Sequence, residues 1–357
     1  MNLQSEITNE VIKLLKQLIA CPSMSKEENI TANLISEYFS EHNIPYFRKI
    51  NNIWAKNKFF DKDLPTILLN SHHDTVKPNA NWTIDPFQPI EKEGKIYGLG
   101  SNDAGASLVS LLATFQYFYY RTDLKYNLIY VASAEEEITG KNGLELLFKE
   151  NDLLTLNFAI VGEPTQMQMA IAEKGLMVLD CKSKGEAGHA ARNEGVNAIY
   201  KAINDINWIQ NYKFPKDSEL LGPVKMTVTV IKAGSQHNVV PDLCEFTIDV
   251  RANDQYSLYE IFKMISENIE AEITPRSMRL QPSKIDLMHP IVLAGRQLGL
   301  SSYGSPTTSD QAVIPYESIK IGPGDSARSH TADEFIYKKE IEEGIDIYIK
   351  LLTKIIF

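Results

Sequence analysis

The 357-residue chain predicts an α/β protein in which a three-layer α/β/α domain is interrupted by an inserted ferredoxin-like α+β domain. Short apolar runs alternate with helical patterns, which is typical of a largely parallel sheet covered by helices. The middle of the chain instead has half-exposed strands in the order β-α-β-β-α-β. We therefore expect a discontinuous domain at residues 1–170 and 281–357, and an inserted domain at residues 171–280.

The elements of the larger domain follow from the spacing of apolar residues. The first residues with helical spacing predict an amphipathic helix over residues 7–18, capped near Ser5 or Thr8. Further helices are predicted over residues 27–41 and 104–120. Short apolar runs are typical of buried strands. Such runs lie at residues 66–69, 127–132, 158–161 and 319–321.

The elements of the inserted domain show a different periodicity, because apolar and polar residues alternate along half-exposed strands. Strands are predicted at residues 176–182, 224–231 and 245–250, with a last short strand at 278–280. Helices are predicted at residues 197–208 and 258–273. This order is that of the ferredoxin-like fold.

Composition and charge narrow the classes of function. The net charge of −10 argues against a nucleic-acid partner. The three cysteines form no C-x-x-C pair, which argues against disulfides and zinc knuckles and favours the cytoplasm. Charged residues interrupt the first apolar stretch, and no run approaches the roughly 18 apolar residues of a membrane span. We therefore expect a cytoplasmic protein with no membrane partner.

Polar clusters directly follow the predicted strands, where the carboxyl ends of parallel strands bring side chains together. The clusters offer imidazole nitrogens and carboxylate oxygens without thiolate, a set that suits catalytic zinc, cobalt or manganese. The sequence therefore predicts a metal-dependent hydrolase. The candidate residues are His72, His73, Asp74, Asn102, Asp103, Glu135, Glu136, Glu137, Glu163, Ser329 and His330.

Each cluster taken alone also has a purely structural explanation. Residues two apart on a strand share a face, so Asp74 would orient His72, but a polar strand end is the alternative. The three glutamates could be a solvated charge run, although carboxylates beside an apolar strand need a cation nearby. Glu163 could be a turn residue, and Asp103 could cap the following helix.

The order of the motifs resembles a known family over nearly the whole chain. The clusters are joined by glycine-containing motifs, a Gly-His-Ala-Ala segment and an Asn-Val-Val-Pro segment. Together they are similar to the co-catalytic zinc metallopeptidases that include acetylornithine deacetylase and succinyl-diaminopimelate desuccinylase. The matching positions are 72, 74, 98–103, 135–137, 162–164, 188–191, 238–241, 251, 308–310, 322–324 and 330.

The resemblance implies a ligand set for two divalent metal ions, with zinc as the first expectation and cobalt or manganese as alternatives. Asp103 would bridge the two ions. His72 and Glu163 would complete one of them, while Glu137 and His330 would complete the other. The fold implied is a zinc-hydrolase catalytic domain with an inserted lid and dimerisation domain, so a homodimer is expected.

The resemblance also implies catalytic and substrate-binding residues. Glu136 would be the general base, and Asp74 would act with it by holding His72. His189 would reach across a dimer to stabilise the tetrahedral oxyanion. The substrate's carboxylate and acyl group would be oriented by residues spread over both domains. These substrate-binding residues are Asn238, Arg251, Arg328, Thr308 and Ser309.

The chain departs from the commoner family pattern near the first ligand and the bridging aspartate. Ser71 and His73 flank His72 where the family often has glycine and threonine, which leaves His73 as a decoy ligand. Ala104 begins the segment where the family often has Met-Lys-Gly. The lost lysine leaves the metal ligands intact but removes a possible basic contact.

The function implied is hydrolysis of the amide bond of an N-acylated amino acid. N-acetylornithine is the first substrate expected, in arginine biosynthesis. N-acetylcitrulline, N-succinyl amino acids, succinyl-diaminopimelate and dipeptides are the alternatives. By the same resemblance, Glu163 in place of aspartate favours the deacylases over the dipeptidase and aminoacylase branches. A catalytically inactive scaffold protein is the competing class. The presence of every ligand and of Glu136 argues against it.

Overall fold

The computed structural model describes residues 3–150, 152–153 and 156–357. Along these residues the α-helices are α1 (Leu3–Ile19), α2 (Asn29–Glu41), α3 (Ala106–Phe118), α4 (Leu144–Lys149), α5 (Ala198–Asn211), α6 (Leu258–Ser266), α7 (Pro290–Gln297) and α8 (Lys338–Ile356). The β-strands are β1 (Tyr46–Lys49), β2 (Asn52–Lys56), β3 (Thr66–His72), β4 (Ile90–Lys92), β5 (Lys95–Tyr97), β6 (Asn127–Ser133), β7 (Phe158–Val161), β8 (Met169–Glu173), β9 (Gly175–Lys184), β10 (Gly188–His189), β11 (Lys225–Ala233), β12 (Val239–Val240), β13 (Leu243–Ala252), β14 (Glu272–Pro275), β15 (Ser283–Lys284), β16 (Ser302–Ser305), β17 (Ser318–Lys320) and β18 (Phe335–Tyr337).

The chain divides into two compact units. The first consists of Met1–Ile171, Ile285–Tyr303 and Ser309–Phe357. The second consists of Ala172–Lys284 and Gly304–Thr308. The first unit is thus discontinuous in sequence, and the second contains one short segment from the later part of the chain.

The first unit is built on a mixed sheet whose central strands are parallel. Its strands follow the order β1-β2-β6-β3-β7-β17-β8. Strand β3 pairs in parallel with β6 and β7, and β17 pairs in parallel with β7. Strands β2 and β8 pair antiparallel at either side of this parallel centre. The carboxyl ends of β6, β3, β7 and β17 therefore share one edge.

Helices cover both faces of this sheet, because side chains on each strand alternate between two buried faces. On one face Leu68, Ile129 and Val131 pack with Leu144 and Leu147 of α4. On the other face α3 packs on β3 and β6, with α1 and α8 packed against α3. The predicted fold class, an α/β/α sandwich, is confirmed.

The second unit has the predicted ferredoxin-like order. Its antiparallel sheet runs β11-β13-β9-β14, and helices α5 and α6 lie in the crossovers between strands. Alternate residues of β9 are buried, including Met177 and Leu179, and they pack with Ile261 and Ile265 of α6. The apolar face of one sheet thus forms the core of this unit.

Two local predictions were wrong. The helix predicted over residues 258–273 ends at Ser266, and the last strand lies at Glu272–Pro275 instead of 278–280. The chain leaves the helix because the Asp205 carboxylate accepts hydrogen bonds from the backbone N–H groups of Glu270 and Ala271, each at 3.0 Å.

The predicted cap near Ser5 or Thr8 was also wrong, because α1 begins at Leu3. Thr8 lies inside the helix, where its hydroxyl donates to the carbonyl of Gln4 at 2.8 Å. Asp103 does not cap α3 either, since the residue before that helix is Gly105 and no side chain accepts from its first turn. None of the helices in the described part of the chain is both long and apolar enough to cross a membrane.

Candidate metal centre

The predicted metal ligands and the predicted general base converge at the carboxyl edge of the parallel strands in the first unit. His72 is the last residue of β3, and Ser133 ends β6 shortly before Glu136. Glu163 comes two residues after the end of β7. His330 lies on the loop that follows β17. The sheet therefore places four sequence-distant segments beside one another.

The imidazole of His72 is the centre of this cluster. Its Nδ1 lies 3.0 Å from the carbonyl oxygen of Asp74, which fixes the proton on Nδ1 and leaves the lone pair on Nε2. That Nε2 lies 3.3 Å from Asp103 Oδ1, and 3.8 and 3.9 Å from oxygens of Glu163 and Glu136. It is buried and has no hydrogen-bond partner among the described residues. A lone pair facing carboxylates calls for a cation between them.

A second imidazole lies on the other side of Asp103. His330 Nε2 is 3.7 Å from Asp103 Oδ2, whereas His72 faces Oδ1. The same Nε2 lies 3.0 and 3.2 Å from the two oxygens of Glu137. The Asp103 carboxylate thus stands between two imidazoles, each with a further carboxylate beside it.

The electrostatics of the cluster show an excess of buried negative charge. Burial and nearby carboxylates raise the pKa of Glu136 well above its usual range, and burial raises that of Glu163 to about 8. The hydrogen bond with Glu137 raises the pKa of His330 to about 9. Burial alone would lower the pKa of His72, but the carboxylates around it raise it well above the ordinary value. Every one of these shifts favours added positive charge.

The donor set fits a divalent cation. Two groups each bring three donor atoms within 4.8 Å of one another, one from His72, Asp103 and Glu137 and the other from His72, Glu136 and Glu163. Imidazole nitrogen and carboxylate oxygen without sulfur suit zinc, cobalt or manganese. Divalent charge there would offset the repulsion and desolvation of the carboxylates.

Asp74 supports the site through hydrogen bonds and is not among the grouped donor residues. Its carboxylate accepts from the Ser25 hydroxyl at 2.6 Å and from the backbone N–H groups of Glu136 and Glu137 at 3.0 and 3.1 Å. Its Oδ1 also lies 3.4 Å from His72 Nδ1. One buried carboxylate therefore fixes both the first imidazole and the turn that carries two of the glutamates.

His73 points to the opposite side of β3, as the alternation of side chains predicts. Its Nδ1 lies 2.9 Å from the Thr31 hydroxyl and its Nε2 lies 2.8 Å from the Asn51 carbonyl. Burial lowers the pKa of His73 to about 4. Both ring nitrogens are used in the core, so the neighbouring histidine is not available as a ligand.

Two buried carboxylates at the site were not assigned from the sequence. Glu334 accepts backbone hydrogen bonds from the loop that carries Asp103. Asp310 accepts from Asn70 at 2.8 Å and from Ser133 at 2.7 Å, and its charge helps to raise the pKa of Glu136. Asp310 closes the Thr-Ser-Asp motif, in which only Thr308 and Ser309 had a predicted role. For Glu334, no motif in the sequence indicated a role at the site.

The substrate-binding candidates of the first unit have partners within the protein. Arg328 donates to both oxygens of Glu340, at 2.9 and 2.5 Å, and its guanidinium stacks 5.0 Å from the Phe335 ring centroid. Ser309 precedes a short 3₁₀ turn, and its hydroxyl accepts from the backbone N–H of Gln311 at 3.3 Å.

The second unit carries the remaining candidates. Arg251 donates to both oxygens of Asp249 at 2.9 and 3.1 Å, and to the Thr308 hydroxyl at 3.3 Å. His189 is exposed at the end of β10, and its Nδ1 accepts from the backbone N–H of Ala191. Asn238 precedes β12, and its carbonyl accepts from Ala190. A groove of about 750 Å³ lies beside this His189 segment.

The chain is similar in sequence and in fold to known proteins. A family model for peptidase family M20/M25/M40 matches residues 68–354. Acetylornithine deacetylase of Buchnera aphidicola subsp. Schizaphis graminum is 26% identical over an alignment of 377 residues, covering 96% of this chain and 97% of that protein. Succinyl-diaminopimelate desuccinylase of Nitratiruptor is 27% identical over 270 residues, covering 72% of each. An M20 family metallo-carboxypeptidase from Sulfolobus solfataricus has a TM-score of 0.77 at 17% identity, covering 96% of this chain and 98% of that one.

An α/β/α domain with imidazoles and carboxylates gathered at the sheet edge defines a hydrolase of the metallopeptidase type. The chain belongs to peptidase family M20/M25/M40, as the model matched over residues 68–354 shows. It is accordingly an amidohydrolase, and the family resemblance inferred from the order of the motifs is confirmed.

Proposed function

We propose that the protein hydrolyses the amide bond of an N-acylated amino acid with two divalent metal ions. The position of Asp103 carries this proposal. One of its oxygens lies 3.3 Å from His72 Nε2 and the other 3.7 Å from His330 Nε2. A carboxylate with one oxygen toward each of two ligand sets is the group that two cations can share.

The proposed ligand sets follow the two sides of Asp103. His72, Asp103 and Glu163 would hold one ion, and Asp103, Glu137 and His330 would hold the other. Zinc is the first candidate, and cobalt and manganese suit the same donors. When bound, such ions polarise the amide carbonyl and lower the pKa of the attacking water.

Glu136 is the proton carrier in this proposal. Its main-chain N–H is fixed by Asp74, and its side-chain oxygen lies 3.9 Å from His72 Nε2, inside the same cluster as the ligands. From this position its carboxylate would accept the proton of the attacking water and return it to the nitrogen of the leaving amine. The Asp74 contact fixes the main chain of Glu136, and its carboxylate is left out of the two proposed ligand sets.

N-acetylornithine is the first substrate we propose, which would place the protein in arginine biosynthesis. The acetylornithine deacetylase relative matches 96% of this chain and 97% of its own length, whereas the desuccinylase relative matches 72% of each. N-acetylcitrulline, N-succinyl amino acids, succinyl-diaminopimelate and dipeptides share the amide and the carboxylate. They are therefore the alternatives that the substrate comparison has to separate.

Recognition of the substrate's carboxylate is assigned to Arg251 and Arg328, with Asn238, Thr308 and Ser309 as further contacts. Both guanidinium groups already face an internal carboxylate, Asp249 for Arg251 and Glu340 for Arg328. A guanidinium has five N–H donors. A substrate carboxylate would accept from the N–H groups that do not donate to the internal carboxylate.

We further propose a homodimer formed through the second unit, with His189 donating to the oxyanion of the partner's site. Strand β11 is at one edge of its sheet, and Val230 and Ile231 on it are 45% and 53% exposed. On the adjacent α5, Tyr200 and Ile203 are 68% and 43% exposed. An open strand edge beside apolar side chains is suited to pairing with the same strand of a second copy.

Metal analysis with a steady-state substrate panel tests the proposal. The panel is N-acetylornithine, N-acetylcitrulline, their N-succinyl analogues, succinyl-diaminopimelate and a dipeptide. We expect zinc to be bound and N-acetylornithine to give the highest kcat/KM. Turnover of only dipeptides would redirect the proposal to a peptidase. A protein that binds zinc but cleaves none of these amides would contradict it.

A further inference from the structure

The loop that carries Asp103 folds around one buried carboxylate. Glu334 is 2% exposed. Its Oε1 accepts from the backbone N–H groups of Asn102 and Asp103 at 2.8 and 2.9 Å, and its Oε2 accepts from that of Gly100 at 3.1 Å. Gly100 has φ +76°, a left-handed conformation that favours glycine. The N–H groups of residues 100, 102 and 103 thus converge on one carboxylate, while that of Ser101 donates to the Gly98 carbonyl.

Glu334 also connects the two segments that face each other across the site. Its own carbonyl accepts from the backbone N–H of Gly98 at 3.0 Å, and the next residues form β18, which pairs with β5 just before that glycine. His330 lies four residues before Glu334, in the same segment leading to β18. The main chain and the side chain of one residue thus join the Asp103 loop to the His330 segment.

We propose that Glu334 is a positioning residue that sets the place of Asp103 relative to His330, an inference that rests on the proposed two-metal function. Glu334 lies behind the Asp103 loop and is not one of the proposed ligands. Both of its oxygens accept from backbone N–H groups, so a nitrogen donor in place of either oxygen would face one of those N–H groups. Loss of one acceptor would release part of the loop and move the shared carboxylate.

Substitution of glutamate by glutamine is the sharpest perturbation. Glu334→Gln keeps the shape but replaces one accepting oxygen with an NH₂ group that opposes a backbone N–H. Residues that support ligands in this way change metal affinity by about 10–100-fold when altered. We expect zinc affinity to fall by that factor, the visible spectrum of the cobalt-loaded protein to shift, and kcat to fall with little change in KM.

The measurements are equilibrium dialysis with zinc and the absorption spectrum with cobalt, at a temperature where circular dichroism shows the variant folded. Glu343→Gln is the matched control, because Glu343 is an exposed partner of Lys339 on the helix that follows β18. It should match the unmodified protein in every measurement. A purely structural role for Glu334 would lower thermal stability and leave the zinc affinity and cobalt spectrum of the folded variant unchanged, and that result would overturn the inference.

Two further measurements cover the case in which Glu334→Gln does not fold. Glu334→Asp keeps the charge but shortens the reach by one methylene, and the same loss of affinity and spectral shift are expected. In the unmodified protein, zinc should slow hydrogen exchange over residues 98–103 and 330–337 together. Exchange that slows in only one of the segments would contradict the coupling. Unmodified protein that binds no zinc would instead refute the proposed function, and the inference with it.

Discussion

Glu136 and Glu163 test most directly whether the site separates a proton carrier from a metal ligand. Their carboxylate oxygens lie at nearly the same distance from His72 Nε2, 3.9 and 3.8 Å, so distance alone does not assign their roles. Substitution by glutamine does, because glutamine keeps the side chain's size and removes its negative charge. A lost proton carrier lowers turnover, whereas a lost ligand lowers metal affinity.

For Glu136→Gln we expect kcat to fall by at least roughly 100-fold, the usual contribution of general-base catalysis. The contact that fixes this residue uses its main-chain N–H, which donates to Asp74 at 3.0 Å and survives the substitution. Zinc content and KM should therefore stay close to those of the unmodified protein. For Glu163→Gln we expect the opposite result: the main effect should be a loss of zinc affinity, and the loss of turnover should follow from it.

The assay is steady-state hydrolysis of N-acetylornithine, run beside zinc equilibrium dialysis on the same preparations. If N-acetylornithine is not cleaved, the best substrate of the panel replaces it. Near-normal kcat for Glu136→Gln would refute its role as the base. Loss of zinc from Glu136→Gln with retention by Glu163→Gln would show that the two roles are exchanged.

Three further outcomes are expected. Chelation should abolish activity and zinc or cobalt should restore it; activity that persists after measured removal of metal would exclude a metal mechanism. His189→Ala should lower kcat by roughly 10²–10³-fold. Mixing this variant with Glu136→Gln should regenerate activity, because each mixed dimer has one intact site. No recovery after verified subunit exchange would exclude the cross-subunit arrangement. Asp74→Ala leaves the N–H groups of Glu136 and Glu137 without their acceptor, at about 1–3 kcal/mol each; an unchanged free energy of unfolding in urea would show that other groups hold that turn.

The central sheet and the cluster at its edge could be predicted because both depend on local pattern. Strands β3, β6 and β7 each contain a short apolar run, and the polar residues of the site follow that run within a few positions. Parallel pairing then requires those residues to share an edge. The alternation of faces also placed His73 opposite His72, where the structure has it.

What the sequence did not predict depends on contacts between distant residues. The helical spacing of Ile261, Ile265 and Ile269 continues past the end of α6, and the backbone is turned by Asp205, which comes from α5. Glu334 is likewise an ordinary acidic residue until the Asp103 loop folds around it. A side chain that accepts from remote backbone N–H groups leaves no periodic pattern in the sequence.

The register of β3 against β6, in which His72 pairs with Ser133, has a consequence for altering this protein by insertion or deletion. A one-residue slide of β3 would exchange the faces of all its side chains. It would turn His73 toward the sheet edge and carry Leu68 away from its packing against α4. One residue inserted within β3 would thus keep both histidines in the chain. It would, however, point the His73 imidazole, which is bound in the core, toward the acidic cluster. In a loop far from the cluster, an insertion of the same length would leave that alignment untouched.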